Sequence, residues 1–143
     1  MNRKSKKHVA FFINSLRGGG AERVMLNLAN GCAERGLKVD LLLAKAEGPY
    51  LTELHRSVRL VDLKAGRVRF SLPGLVRYLR RERPQALLSA LDGANVVALW
   101  ARSLAGVPVR TVVSVHTTVS ESVARKRRQW VPHALRLFYP RAE

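Results

Sequence analysis

The sequence predicts an α/β protein with a doubly wound parallel sheet of the Rossmann-like kind. Short apolar segments alternate with amphipathic segments along most of the chain, and the connections between them are short. The central apolar segments also lack the polar–apolar alternation of a half-exposed strand. Continuous apolar strands are expected when helices cover both faces of a parallel sheet. The length of 143 residues fits one domain.

Each predicted element has its own signal. The predicted strands are short, largely apolar segments bounded by turn residues, and they cover residues 8–14, 37–44, 58–63, 85–91 and 109–115. The predicted helices carry apolar residues at helical spacing and cover residues 21–35, 72–83 and 93–104, with a short helix or turn at 50–56. Gly36, Pro84 and Gly106 stand where these three helices are expected to stop.

The first predicted helix has an apolar face on which its cysteine lies. The spacing places these residues inward: Val24, Met25, Leu28, Ala29 and Cys32. Cys32 is the single cysteine of the chain, so no intrachain disulfide forms and we expect a small core residue. The histidines share no common motif, and we therefore expect no metal site.

The charge of the chain is strongly positive. The sequence contains 26 lysines and arginines but 10 aspartates and glutamates, which gives a net charge of +16. The basic clusters at residues 3–7, 77–83 and 125–128 favour an anionic partner: nucleic acid, a membrane surface or a phosphorylated ligand. A solvated basic surface without a specific partner fits equally well. No spanning apolar run or signal peptide is found, so we expect a cytoplasmic protein, peripheral at the inner face of the membrane.

A glycine turn follows the first predicted strand and opens the first helix. Gly18, Gly19 and Gly20 would let the backbone approach a phosphate, at which the first helical N–H groups point. Arg23 stands where the dinucleotide fingerprint needs a glycine, and no Gly-Lys-Ser/Thr follows. The turn therefore suggests an anion site without a dinucleotide cofactor. A turn in which glycine only relieves crowding remains the alternative.

Ligands of open parallel sheets bind at the carboxyl ends of the strands. This rule selects the segments 15–20, 63–70, 92–95 and 116–118, which should meet on one rim. The candidate rim residues are Arg17, Glu22, Asp92, Asn95 and Thr117. Glu22 also suits the helix start on electrostatic grounds, because a carboxylate there opposes the positive end of the helix dipole.

The segment 18–29, which reads GGGAERVMLNLA, resembles the opening of family-4 glycosyltransferases of the GT-B fold. Residues 89–99, 112–116 and 137–142 are similar to later segments of that family in order and spacing. The resemblance implies an N-terminal, acceptor-binding domain over residues 1–143, without the donor domain and its paired glutamates. The full enzyme would move a sugar from a nucleotide-sugar donor to a hydroxyl acceptor, either a lipid-linked or a cell-envelope glycan.

The resemblance also implies roles for single residues. Gly18, Gly19 and Gly20 would approach the donor diphosphate, His116 would be catalytic beside the reacting carbon, and Asn95 would lie by the acceptor pocket. The nucleotide sugar would be a substrate, and no cofactor is expected. The alternative is a non-enzymatic, basic nucleic-acid-binding module, which is motivated by the charge alone. Tyr78 among its arginines is a candidate for a nucleic-acid face, but no recognition motif supports it.

Overall fold

The computed structural model describes residues 6–114 and contains one parallel sheet of five strands. The strands are β1 (His8–Ile13), β2 (Lys38–Leu43), β3 (Val58–Asp62), β4 (Ala86–Ala90) and β5 (Arg110–Ser114). Their spatial order is β3-β2-β1-β4-β5, and every neighbouring pair is parallel. The predicted doubly wound parallel sheet is confirmed, and each predicted strand lies within two residues of its observed bounds.

Helices cover both faces of this sheet. They are α1 (Gly20–Glu34), α2 (Leu72–Glu82) and α3 (Asp92–Ala105), with 3₁₀ turns at Pro49–Glu53 and Val68–Ser71. Successive residues of a strand point to opposite faces. In β1, Phe11 and Ile13 pack in the core on the α1 side, whereas Ala10 and Phe12 pack in the core beneath α2 and α3. Two apolar cores thus hold the sheet, which explains its nearly continuous apolar strands.

The buried face of α1 differs from the predicted one. Val24 and Leu28 are 41% and 44% exposed, so their assignment to the core was wrong. The face against the sheet is rich in small residues and comprises Ala21, Met25, Leu26, Ala29 and Ala33. Cys32 is partly buried at the margin of this core. The exposed stripe (Val24 and Leu28) and the buried stripe (Ala21, Met25, Ala29 and Ala33) both repeat every four residues, so spacing alone does not distinguish them. The small alanine side chains of the buried stripe let the helix pack close to the strands.

A buried polar network links the amino half of the sheet to α2. The Asp40 carboxylate accepts hydrogen bonds from the Tyr78 hydroxyl at 2.5 Å and from Arg59 Nε and Nη2 at 2.9 and 2.8 Å. His8 Nε2 lies 2.7 Å from Asp40 Oδ2. Burial raises the pKa of Asp40, but hydrogen bonds from Arg59, Tyr78 and His8 outweigh it and leave that pKa below its usual value.

Tyr78 has a structural role in the same network. Its ring is buried, and burial together with the hydrogen bond to Asp40 raises the pKa of its hydroxyl. A nucleic-acid face built on Tyr78 is therefore excluded, because the side chain does not reach the surface.

Within the described residues, 6–114, the helices do not combine the length and the apolar character that spanning a bilayer requires.

Candidate functional site

A polar cleft of about 420 Å³ lies at the carboxyl ends of β1, β2 and β3. Its apolar floor includes Ala44, Ala65 and Val68. Its polar lining comes from the segments that follow the three strands and from the start of α1: Asn14, Ser15, Arg17, Glu22, Lys45, Glu47 and Arg67. The cleft thus lies on the edge at which the sheet order predicts ligand binding.

The glycine turn forms one border of this cleft. Gly18 has a φ of +122°, in a region that residues with a Cβ rarely adopt, and the Tyr50 hydroxyl donates a hydrogen bond of 3.2 Å to its carbonyl oxygen. Gly19 is the N-cap residue of α1, and no side chain caps the helix. The first N–H groups of α1 therefore have no helical acceptor and no side-chain cap.

The turn is held by the segment that follows β2. Leu16 N donates to Glu47 O at 2.9 Å, and Tyr50 N donates to Leu16 O at 3.3 Å. Gly48, with a φ of +119°, packs so closely on the Leu16 backbone that a Cβ would overlap it. Arg23 lies 4.1 Å from the centre of the Tyr50 ring and donates two hydrogen bonds to the Glu53 carboxylate. The glycine turn is therefore anchored on both sides.

Charges of both signs line the cleft. Glu47 pairs with Arg17 and lies 3.2 Å from Lys45 Nζ, and the hydrogen bond from Arg17 lowers the pKa of Glu47. Arg67 makes no ion pair to any residue of the described part of the chain. The Glu22 carboxylate folds back against Gly19, into the space that a Cβ there would occupy. Of the cations that line the cleft, Arg67 is the one that makes no ion pair among the described residues, and it is therefore available to a ligand.

Asn14 is a functional candidate that the sequence analysis missed. Its side-chain Oδ1 is buried in the cleft wall and has no hydrogen-bond partner among the residues that the structure describes. A buried acceptor without a partner is costly and usually marks a place where a ligand or water donates. The available signal was its position, since a polar residue directly follows the apolar β1. Lys45 was missed as well, whereas Arg67 lies in the segment 63–70 that the strand-end rule selects, although it was not named there.

The predicted rim residues of α3 occupy different environments. Asn95 is fully buried: the Ser89 hydroxyl donates to its Oδ1 at 2.7 Å, and its Nδ2 donates to Ser114 O at 3.0 Å. It joins β4, α3 and β5 behind the rim. Asp92 is the first residue of α3 and is partly exposed, and it follows Leu91, whose φ is +75°. A strained residue at a strand end is typical of a ligand-binding edge.

The structure therefore brings together part of the predicted site. Arg17 and Glu22 line the cleft, the three glycines connect these two residues in the chain, and Asp92 starts the helix after β4. His116 and Thr117 lie outside the described residues. Within residues 6–114, no group of three or more histidine, cysteine, aspartate or glutamate side chains is placed to hold a metal ion.

Comparison with known proteins identifies the family. The model of Glycosyltransferase Family 4 matches residues 18–143, a span that begins in the glycine turn. The chain belongs to Glycosyltransferase Family 4. The resemblance of this chain to family-4 glycosyltransferases, predicted from its sequence, is thereby confirmed. No curated protein matches the chain in sequence.

Solved structures of GT-B glycosyltransferases share the fold of this family-4 chain. The apo form of the lipopolysaccharide outer core galactosyltransferase WaaB has a TM-score of 0.62 at 14% identity, over 88% of this chain and 37% of its own. MurG of Acinetobacter baumannii has a TM-score of 0.52 at 17% identity, over 83% of this chain and 39% of its own. The chain thus spans less than two fifths of either structure and corresponds to a Rossmann-like part of the GT-B fold.

Proposed function

We propose that this chain is the acceptor-binding domain of a glycosyltransferase that moves a sugar from a nucleotide-sugar donor to a hydroxyl of a lipid-linked or cell-envelope glycan. A second domain with paired glutamates, which would hold most of the donor, is proposed to lie outside these 143 residues. The observation that supports the proposal best is the polar cleft with its unpartnered buried Asn14 Oδ1, in a chain of family 4.

Acceptor binding is supported by the chemistry of the cleft lining. Asn14 Oδ1 is an acceptor that needs a donor, and a sugar hydroxyl is such a donor. Lys45 and Arg67 offer N–H donors nearby, and Ser15 offers a hydroxyl. A lining that is mostly polar suits a ligand with many hydroxyl groups, such as a glycan.

Donor binding at the glycine turn is proposed for a different reason. The uncapped start of α1 attracts an anion, and Gly20 leaves open space in which a diphosphate could approach the backbone. Glu22 disfavours diphosphate binding, because its own negative carboxylate already lies at the start of the helix. We expect Glu22 to move away when the diphosphate arrives. The nucleotide sugar enters as a substrate, and His116 remains the proposed residue at the reacting carbon.

Nuclear magnetic resonance titration tests the site on the 143-residue chain. With methyl glucoside as an acceptor probe and uridine diphosphate as a donor probe, amide shifts are expected at residues 14–22, 44–47 and 65–68. Asn14→Ala should weaken methyl glucoside binding about fivefold, since one hydrogen bond contributes about 1 kcal/mol. The matched control is Asn27→Ala, an exposed asparagine on α1. Shifts confined to other surfaces would contradict the assignment.

Two variants test the glycine turn with uridine diphosphate. Glu22→Gln should strengthen binding several-fold, because a competing charge is removed. Gly20→Val should weaken binding without unfolding the chain, because a Cβ at Gly20 meets no atom within 4 Å. If both variants bind uridine diphosphate as the wild type does, the turn is not the diphosphate site. The chain alone should show no sugar transfer, and robust turnover would contradict the two-domain proposal.

A further inference from the structure

A second surface of the molecule combines apolar and cationic groups. Between α2 and α3 runs a groove of about 630 Å³, with an apolar floor of Leu72, Pro73, Val76 and Leu104. Arg77, Arg80 and Arg81 stand along it. We propose that this α2–α3 face is a docking surface for an anionic lipid bilayer.

The cations of the groove are arranged for an external partner. Arg77 makes no hydrogen bond or ion pair within the described part of the chain, and Arg81 lies 3.9 Å from Glu82 with 81% of its side chain exposed. Arg80 Nη2 donates to Leu104 O at 2.8 Å, which fixes the guanidinium without neutralising it. Arginine stems cover apolar surface while their charged ends stay in water, the geometry that a lipid headgroup layer requires.

Exposed apolar side chains extend this face at both ends of the helices. Phe70 is 61% exposed two residues before α2, and Arg69 lies 4.8 Å from the centre of its ring. Leu104 is 56% exposed near the end of α3, and Trp100 stands one turn earlier. Large apolar side chains among arginines are typical of surfaces that enter the headgroup region of a membrane.

A lipid surface fits this groove better than a nucleic acid does. The groove itself is lined by aliphatic side chains, and Arg69 already covers one face of the Phe70 ring, so that little aromatic surface is left on which bases could stack. Phosphate binding alone would need cations and no exposed leucine or phenylalanine. Phe70 also belongs to the segment that supplies Arg67 and Val68 to the cleft, so a bilayer on this face would lie beside the proposed acceptor site. That last benefit depends on the proposed function, whereas the bilayer contact does not.

Vesicle sedimentation tests the surface with the 143-residue chain. The probes are vesicles of phosphatidylcholine alone and vesicles with about one third phosphatidylglycerol. Arg77→Gln with Arg81→Gln should lower partitioning onto anionic vesicles roughly thirty-fold, at about 1 kcal/mol per arginine. The matched control, Arg35→Gln with Lys38→Gln, removes two exposed charges at the end of α1 and the start of β2. Equal losses in the two double variants would overturn the proposal.

The apolar contribution has a matched control within the same chain. Phe70→Ser with Leu104→Ser should weaken vesicle binding several-fold, whereas Val24→Ser with Leu28→Ser, an exposed apolar pair on α1, should not. The chain has two tryptophans, and a Trp130→Phe background leaves Trp100 as the single one. In that background, brominated lipid should quench the fluorescence of Trp100. Binding to neutral vesicles as strong as to anionic ones, unquenched Trp100, or displacement by RNA at equal charge would overturn the proposal. No sugar transfer enters these measurements, so they stand apart from the enzymatic proposal.

Discussion

The two ends of the sheet use their charged residues differently. At the amino half, Asp40 is buried and receives hydrogen bonds from Arg59 and Tyr78, with His8 at 2.7 Å. At the carboxyl edge, Arg17 and Lys45 pair with Glu47 near the surface, and the buried acceptor Asn14 Oδ1 has no described partner. A satisfied network stabilises a fold, whereas an unsatisfied edge is available to a ligand.

Positive φ angles occur at both ends of the sheet but in different settings. At the amino edge, Gly36, Arg83 and Gly106 have positive φ angles where α1, α2 and α3 end, as is usual for helix C-termini. At the carboxyl edge, Lys64 and Leu91 have positive φ angles in the segments that follow β3 and β4, where strained residues often accompany ligand binding. Substitutions at the two ends should separate stability from ligand binding.

The largest expected effect is that of Asp40→Ala. The substitution leaves the buried Tyr78 hydroxyl without this acceptor and removes the charged hydrogen bonds from Arg59, which keeps Glu82 as a partner. An unsatisfied buried hydroxyl together with lost charged hydrogen bonds costs about 3–5 kcal/mol. Urea unfolding followed by circular dichroism measures this free energy. Binding of methyl glucoside by the folded fraction should be unchanged. A loss below 1 kcal/mol would show that the network does not stabilise the fold.

Acid should produce a smaller effect through the same carboxylate. The pKa of Asp40 is lower in the folded chain than in the unfolded chain, so its ionised form favours folding. That contribution is fully present above the unfolded pKa, near 3.9, and is lost as the pH falls through the folded value. The free energy of unfolding should therefore fall more steeply below pH 4 in the wild type than in Asp40→Asn. Parallel pH profiles would contradict this linkage.

The glycine turn should give intermediate and strongly position-dependent effects. Gly18→Ala forces a Cβ into a φ of +122° and should cost about 1–3 kcal/mol. Gly20→Ala, two residues later in the first turn of α1, should change the free energy of unfolding by less than about 0.5 kcal/mol, because the new Cβ meets open space. Thermal denaturation of the two variants measures the contrast. Equal effects would mean that the turn adopts another conformation.

The smallest effect is expected for Glu53→Gln. This carboxylate pairs with Arg23 at the surface, and exposed pairs contribute about 0–1 kcal/mol. Urea unfolding in low and high salt measures it. A loss above 2 kcal/mol would show that the anchor of the glycine turn is more important for stability than its exposure suggests.

The sequence predicts the fold more completely than the site. Apolar segments and their stops suffice for the five strands, because period and length are local properties. The choice between the Val24–Leu28 stripe and the Met25–Ala29 stripe of α1 is not local, since it depends on how closely the helix approaches the sheet. Asp40 likewise looks like an interruption of β2 until Arg59 and Tyr78 are brought to it from two other elements.

The site shows the same limit. The glycine turn was found because its composition is unusual, and the family resemblance covered it. Asn14 and Lys45 are ordinary polar residues in the sequence and become candidates only when three strand ends converge. Arg67 lies in the predicted rim segment 63–70, but only the structure distinguishes it from the other basic residues of that segment. Asn95 is predicted from the sequence to lie on the rim beside the acceptor pocket, whereas in the structure it is fully buried and its hydrogen bonds to Ser89 and Ser114 place it behind the rim.

Arg59 has a consequence for the behaviour of many copies of this chain. It lies in β3, the strand at one end of the described sheet order, where unpaired backbone groups could recruit a strand from another molecule. β3 has only five residues, and Arg59 and Asp62 are charged and exposed along it. Such an edge resists intermolecular pairing. The guanidinium that completes the buried network therefore also protects the fold against self-association.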